Sequence, residues 1–561
     1  MEDNEPLAQQ VEINFLSFSV PIPDDYLLET TLRERMVDVP LPKLPFIDKP
    51  LVRKSEKDSI EFYKKGEKML GLGKKNEALK NYSEALRMVP RTSKRVSDYY
   101  AARSMAFQKL KMYHESLNDI QRALKLPITE EKKTILLKRL SIIEFLLSSG
   151  TLENQKIKKT PHEEVNLSYG ENKEVIGVSN AISLEYNNFY GRHFIATRDI
   201  KIGDVLMVQS PYMYISNREH GKDIDGKTWF CDNCLNSTMA PVPCDNCTYY
   251  LYCSFECRSE AFEKYHKTEC KVLNEEVLFG PQSSMFLRLL IVATNHGENF
   301  QEVYNLMKKI QTSKDRRTAG FKDGKLDGGN VNAILNLLSH NDKIPRSGLV
   351  MNAAKMTAAL KKHTDFIKGN HNINDVGRLL MFFSYTCFMN LYSIRRNNFM
   401  DAIALGMYPV FNLLNHSCQS NVISYDNKKR QKILRACREI KKGEQIFVAY
   451  CGFALVKMTT EERRKCLMET KYFKCQCEAC EKNYTYKPEL KGKFKVPLDL
   501  KKKLLKNPND AESLWELLRL IFNKYKGPNL EAKAVENALV NALMGDLNYD
   551  VIDTFKQLRL L

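Results

Sequence analysis

The sequence predicts a multidomain α+β protein: a core of small β-strands interrupted by a cysteine-rich module and a helical insert, with further helical regions before and after it. Three observations carry that prediction. At 561 residues the chain exceeds what one hydrophobic core usually organises, so two to four domains are expected. Helix-period patterning near both ends flanks segments in which apolar residues alternate between glycines, the mark of short strands and tight turns. Most of the fifteen cysteines fall into close C-x2-C, C-x3-C and C-x-C groups, a spacing that in a large chain without a secretory pattern favours metal thiolates over disulfides.

Composition narrows the class. A hydrophobic fraction of 43% and a charged fraction of 27% are those of a soluble globular protein, and every long apolar run is broken by Lys, Arg or Pro, so no membrane span is expected. The start, Met1-Glu2-Asp3-Asn4-Glu5, is acidic and lacks a secretory pattern; an intracellular location, nucleus and cytoplasm, is expected. The formal charge is +18, and residues 51–150 alone carry 22 Lys and Arg against 12 Asp and Glu. The excess therefore concentrates on N-terminal helices, where charge runs are usually solvated faces, and direct nucleic-acid binding is disfavoured. A monomer is the expected state.

Residues 1–55, with Pro40, Pro42 and Pro45, predict an extended arm. In 56–150 a helical pattern places Gly66, Ala78, Tyr82, Ala85 and Pro90, then Tyr100, Ala102, Leu110, Tyr113, Ser116, Leu117, Ala123 and Pro127, at the spacings where tetratricopeptide-like helix pairs need small or ring-shaped residues. A further helix at about 130–148 caps the stack. Residues 151–180 are polar and aperiodic and read as a linker. Short strands are expected in 181–230, the cysteine block fills 231–270, and 271–400 is a helical insert whose segment Thr312–Asn330, rich in Lys, Asp and Gly, reads as a mobile loop. β-type segments return in 401–460, a second cysteine group lies in 461–481, and 482–561 is helical again, with an apolar stripe of Trp515, Leu517, Leu518, Leu520 and Ile521.

The first cysteine group reads Cys231-x2-Cys234-x9-Cys244-x2-Cys247-x5-Cys253-x3-Cys257-x8-His266-x3-Cys270. Eight donors make two tetrahedral zinc sites, and an interleaved pairing is expected: Cys231, Cys234, Cys253 and Cys257 on one ion, Cys244, Cys247, His266 and Cys270 on the other. Closed four-ligand sites leave no position for water, so these sites are structural. The second group, Cys475-x-Cys477-x2-Cys480, supplies three sulfurs and needs a fourth; Cys418 is the candidate, giving three zinc ions per chain. Cys387, Cys437, Cys451 and Cys466 remain as thiols.

The run Tyr252-Cys253-Ser254-Phe255-Glu256-Cys257 and the spacing around it resemble the MYND zinc finger, which implies a module for proline-containing partner peptides. With Gly191-Arg192, the segment Phe411-Asn412-Leu413-Leu414-Asn415-His416-Ser417-Cys418 and the segment Gly443-Glu444-Gln445-Ile446-Phe447-Val448-Ala449-Tyr450, in that order, the chain resembles the SET and MYND domain-containing lysine methyltransferases, and within them the branch that bears tetratricopeptide repeats. The resemblance implies that 181–230 and 401–460 build the two parts of the SET core, that 461–481 is a post-SET zinc cluster, and that the Asn-His-Ser segment threads beneath the final loop and carries Cys418 to Cys475, Cys477 and Cys480.

It also implies transfer of the methyl group of S-adenosylmethionine to a lysine of a histone or non-histone protein, in a setting of transcriptional or chromatin regulation. Such a reaction requires a neutral amine, which an apolar channel favours by penalising the ammonium, held about 3–3.5 Å from the methyl carbon in line with the breaking bond. By resemblance Tyr450 and Tyr472 border that channel as catalytic residues. Tyr190, Gly191, Arg192, His340, Asn390, Asn415, His416, Tyr472 and Phe473 match cofactor-binding positions. Two departures mark this chain: His193 stands where the family often has glycine, and the stretch from Tyr472 to Cys475 is one residue shorter than usual. They leave a second reading open, a weak or inactive SET scaffold that recruits partners, such as corepressors, through the finger and the helices. Protein substrates presenting lysine, proline-containing peptides at the finger and acidic segments at the basic helices are the partners expected.

Overall fold

The computed structural model describes residues 54–149, 164–216, 229–273, 280–339, 347–367, 371–395, 402–450, 458–484, 494–525, 529–545, 551–558 and 560. The arm over 1–53 and His340 lie outside them.

Five helices open the described chain: α1 (Glu56–Gly71), α2 (Lys75–Met88), α3 (Val96–Lys109), α4 (Tyr113–Leu124) and α5 (Glu130–Ser148). They pack in sequence order, each on its predecessor. The small residues make this possible. Ala78, Ala85, Ala106 and Ala123 are fully buried, and a Cβ on Gly66 would come within 2.7 Å of the Tyr82 ring, so α1 and α2 approach at a distance only glycine allows. Ser55 caps α1 by accepting from the Asp58 N–H, and Thr129 caps α5, each satisfying a donor that the first helical turn leaves open.

The β core follows in small sheets. Strands β1 (Ile182–Asn187) and β2 (Gly191–Ala196) form an antiparallel hairpin. Strand β3 (Val205–Gln209) pairs with β13 (Lys432–Ala436), which pairs with β12 (Val422–Asp426). Strand β4 (Met213–Ser216) pairs with β10 (Ala402–Met407), which pairs with β9 (Leu391–Arg395). The short strands β11 (Asn415–His416) and β14 (Phe447–Val448) run parallel. One expectation needs correction. Residues 166–180, read as linker, belong to the core edge: Ser168 N–H donates to Val205 O, Ser179 N–H to Leu206 O, and Val175 and Val178 are fully buried.

Between β4 and β9 come the cysteine-rich module and the helical insert. The module has strands β5 (Trp229–Phe230), β6 (Ser237–Thr238), β7 (Val242–Pro243) and β8 (Leu251–Tyr252), helix α6 (Phe255–Ala261), a π-turn over Phe262–His266 and α7 (Lys267–Val272). The insert contributes α8 (Gly280–Ala293), α9 (Phe300–Gln311), α10 (Val331–Leu335), α11 (Ser347–His363) and α12 (Ile373–Asn390). The segment 313–330, expected to be a mobile loop, is instead tied to the core. Arg317 donates to Leu184 O and pairs with Glu174, Leu326 N–H donates to Glu174 O, and the Leu326 side chain is buried. Its polar composition hid a few anchors of long reach.

After β14 come α13 (Thr460–Lys471), closed at its start by a reciprocal Thr459–Glu462 capping box, and the short α14 (Glu478–Glu481). The chain then forms α15 (Leu498–Lys506), α16 (Ala511–Lys524), α17 (Leu530–Met544) and α18 (Val551–Gln557). The stripe of Trp515, Leu517, Leu518 and Ile521 packs, with α17, on Ile202, Val205, Ile423, Tyr425 and Ile433, so the C-terminal helices cover the outer face of the β12–β13–β3 sheet. Among the described residues no helix is long and apolar enough to cross a membrane.

Candidate active site and metal centres

Three groups of four donors each gather so that their ligand atoms lie within 4.8 Å of one another: Cys231, Cys234, Cys253 and Cys257; Cys244, Cys247, His266 and Cys270; and Cys418, Cys475, Cys477 and Cys480. Zinc–sulfur bonds of about 2.3 Å in a tetrahedron put sulfurs about 3.8 Å apart. The separations found are 3.5 Å for Cys234–Cys253 and Cys253–Cys257, 3.9 Å for Cys244–Cys270, and 4.0 and 3.5 Å from Cys418 to Cys475 and Cys480. These donor sets fit zinc. His266 turns Nε2 to Cys244 and Cys247, at 3.2 and 3.5 Å, and Nδ1 to Glu269 at 3.5 Å, the arrangement by which a carboxylate orients a metal-bound imidazole. Glu269 is fixed in turn by the buried Arg288, at 2.7 Å. Among the described residues every cysteine is unbridged.

The module's face toward the N-terminus is covered. Arg103 on α3 donates to Pro241 O at 3.0 Å, and Arg122 on α4 donates to Ala240 O and Cys253 O at 2.7 and 2.6 Å. One carboxylate, Asp119, serves both cations: it takes two bonds from Arg103, at 2.7 and 3.0 Å, and one from Arg122 at 2.8 Å. Tyr100 meets Phe255 edge-on.

The remaining site residues come from four stretches of chain that hydrogen bonds join into a closed circuit. Asn415 Nδ2 donates to Tyr190 O at 2.9 Å. Arg192, at the start of β2, donates to Asn336 O. Two residues on, Leu338 O accepts from Asn390 Nδ2 at 2.8 Å, and Asn390 O accepts from Asn412 Nδ2 at 3.0 Å, which returns to the turn before Asn415. Gly191 has φ +63°, which favours glycine, and open space where a Cβ would stand. The circuit includes two residues that sequence reasoning did not assign, Asn336 and Asn412. Asn336 accepts through its backbone oxygen, which any residue offers, and Asn412 donates to the backbone oxygen of Asn390, so neither partner could be read from residue type. His193 is buried, its Nδ1 2.9 Å from Gly191 O.

Tyr450 stands beside this circuit. Its hydroxyl donates to Leu414 O at 2.8 Å, and burial holds the phenol well above its ordinary range. Its backbone N–H donates to His416 Nδ1 at 3.0 Å, which fixes the tautomer and leaves the proton on Nε2, 3.4 Å from Cys418 Sγ. Burial brings His416 down to about 4, so the ring is neutral and can accept on one side while donating on the other. Phe473 closes this aromatic corner, 6.3 Å from the Tyr450 ring and 6.0 Å from His416. Tyr472 caps α13 at φ +59°.

A family model described as SET domain matches residues 191–451. The "Protein-lysine N-methyltransferase SMYD4" of Homo sapiens is 26% identical over 391 residues, covering 55% of this chain and 47% of that protein. Over these stretches the chain is similar to the SET and MYND domain-containing proteins. The Danio rerio protein of the same name is 22% identical over 515 residues, 77% of this chain and 66% of that one. The "Histone-lysine N-methyltransferase SMYD3" of Homo sapiens is 26% identical over 297 residues, 52% and 59%. The chain spans about half the length of the curated relatives it matches. A crystal structure of the SET domain of LSMT bound to lysine and AdoHcy aligns with 68% of this chain and 87% of that one at 10% identity, with a TM-score of 0.24.

Proposed function

We propose that this chain is a protein-lysine N-methyltransferase that uses S-adenosylmethionine and acts on lysines of histone or non-histone proteins. The observation that carries the reading is the closed circuit through Tyr190, Arg192, Asn336, Leu338, Asn390, Asn412 and Asn415, with Tyr450 at its side. Remote loops are tied into one cluster, as a site that must hold two reactants in line requires.

The residues fit the cofactor. The open space at the Cα of Gly191 lets a ligand approach the backbone closely, and the Asn415 amide, bonded to Tyr190 O, stands beside it. When bound, the cofactor supplies an electrophilic sulfonium methyl. Tyr450 does the positioning: a phenol that stays protonated and spends its hydrogen on Leu414 O keeps oxygen lone pairs for an incoming amine N–H. Its low tendency to ionise makes it an orienting group and not a strong base. Phe473 and His416 supply apolar faces that disfavour the ammonium form of an acceptor lysine. The MYND assignment of the cysteine module, the tetratricopeptide assignment of α1–α5, and residence in nucleus and cytoplasm belong to the same proposal.

A scaffold without activity is the competing reading, and the departure at His193 favours it. Titration of the purified chain with S-adenosylmethionine, followed by labelled methyl transfer into a cell extract, separates the two. The enzyme reading expects binding and transfer that Tyr450→Phe diminishes; binding with no transfer in any extract would leave the scaffold.

A further inference from the structure

The left-handed turn that ends α13 bears on the amine that the site receives. Lys471 is the last residue of α13, and the left-handed turn at Tyr472 swings the following chain so that Phe473 meets Tyr450 and His416. This leaves the Lys471 side chain to run inward. Its Nζ donates to Met389 O at 2.9 Å and lies 5.8 Å from the centre of the Tyr450 ring. Met389 precedes Asn390, a member of the hydrogen-bonded circuit, and sits at the C-terminal end of α12, where unpaired carbonyls attract a cation. A primary amine of this chain thus rests between the residue read as bordering the channel and the residue read as bordering the cofactor.

We propose that Lys471 is a tethered lysine filling the acceptor position of this site and that it is methylated there in cis. The inference rests on the methyltransferase reading given above. In the step, the unprotonated Nζ forms a bond to the sulfonium methyl carbon of S-adenosylmethionine as the carbon–sulfur bond breaks. The bonding pair leaves with sulfur, giving the neutral thioether, and nitrogen keeps both its hydrogens and takes the positive charge; the proton of the resting Lys471 ammonium has passed to water before the attack. The aromatic face of Tyr450 then holds the methylated ammonium as it held the amine. Until Lys471 is modified or moved, an external lysine has to displace it.

The test uses the full chain. Cofactor binding is measured by calorimetry for wild type, Lys471→Arg, Lys471→Met and Tyr450→Phe. Peptide mass spectrometry follows methyl incorporation with time at several protein concentrations. Acetylation by an amine-reactive reagent, without cofactor, reports how well Lys471 is held. The expected result is a methyl on Lys471 of the wild type, formed at a rate independent of protein concentration and lost in Lys471→Arg. Lys471 should also acetylate more slowly than the exposed Lys474. Binding of S-adenosylmethionine with Lys471 left unmodified, or a rate proportional to protein concentration, would overturn the proposal while sparing the methyltransferase reading. Absence of binding in wild type and all variants would remove both.

Discussion

Asp119→Ala offers the sharpest test of how the N-terminal helices are held on the cysteine module. The carboxylate receives three bonds from two guanidiniums, and the side-chain exposures are 0% for Asp119, 0% for Arg103 and 9% for Arg122, so solvent screens little of the interaction. Removing it leaves two buried cations with only neutral acceptors. Breaking a buried pair by deleting one partner costs about 3–5 kcal/mol. At about 1.4 kcal/mol per factor of ten, opening of the α3–α4 pair should become roughly a hundred to several thousand times more frequent. Amide hydrogen exchange reads this directly, because protection reports local opening. Peptides covering 96–124 should lose protection, and those covering 240–253 should lose it with them, since Arg103 and Arg122 hold the carbonyls of Ala240, Pro241 and Cys253. A change of less than about threefold would limit the network to under about 1 kcal/mol and refute the reasoning. Accelerated exchange in the helices alone would refute the coupling.

Other perturbations follow from the same geometry. Gly66→Ala drives a methyl to within 2.7 Å of the Tyr82 ring, and overpacking of this kind costs about 1–3 kcal/mol; it should lower the thermal midpoint, and an unchanged midpoint would mean that α1 and α2 can separate freely. Cys418→Ser should reduce zinc from three ions per chain to two by elemental analysis, since it takes the fourth donor from Cys475, Cys477 and Cys480; three ions would exclude Cys418 as a ligand. Tyr450→Phe removes the bond to Leu414 O, a loss of about 1 kcal/mol in stability, yet should depress methyl transfer by about tenfold or more if the hydroxyl orients the amine; transfer at the wild-type rate would remove that role.

Much of the architecture was legible because its signals are local in sequence. The cysteine spacings announce tetrahedral sites without any three-dimensional information, and Gly66, Ala78 and Ala85 betray a close helix pair because only small side chains fit there. What escaped was carried by backbone groups. The clamp of Arg103 and Arg122 on Ala240, Pro241 and Cys253 joins side chains to carbonyls 118 to 138 residues away, and any residue type offers a carbonyl. The anchoring of 313–330 and the inclusion of 166–180 in the core were hidden the same way, as polar segments whose order comes from Arg317, Leu326, Val175 and Val178. In the site, the resemblance pointed to Asn415 and Tyr450, while Asn336, Asn412 and the inward course of Lys471 depend on turns whose geometry the sequence does not spell out. Tyr472 is instructive: as the left-handed cap of α13 it ends the helix at Lys471, whose amine lies 5.8 Å from the centre of the Tyr450 ring.

The circuit around Asn390 and Asn415 has no local nucleus. Its closing bonds bridge sequence separations of 225, 144 and 52 residues, and the segment leading into β14 meets β2 through a bridge between Gln445 and Ile195. Contacts so far apart along the chain form slowly, because the entropy of closing each loop is lost before any contact repays it. Closure of the circuit is therefore expected to come late in folding, after the helices and cysteine module that can form from near neighbours. A newly made chain can thus hold its N-terminal helices and cysteine module before the loops around Asn390 and Asn415 have met.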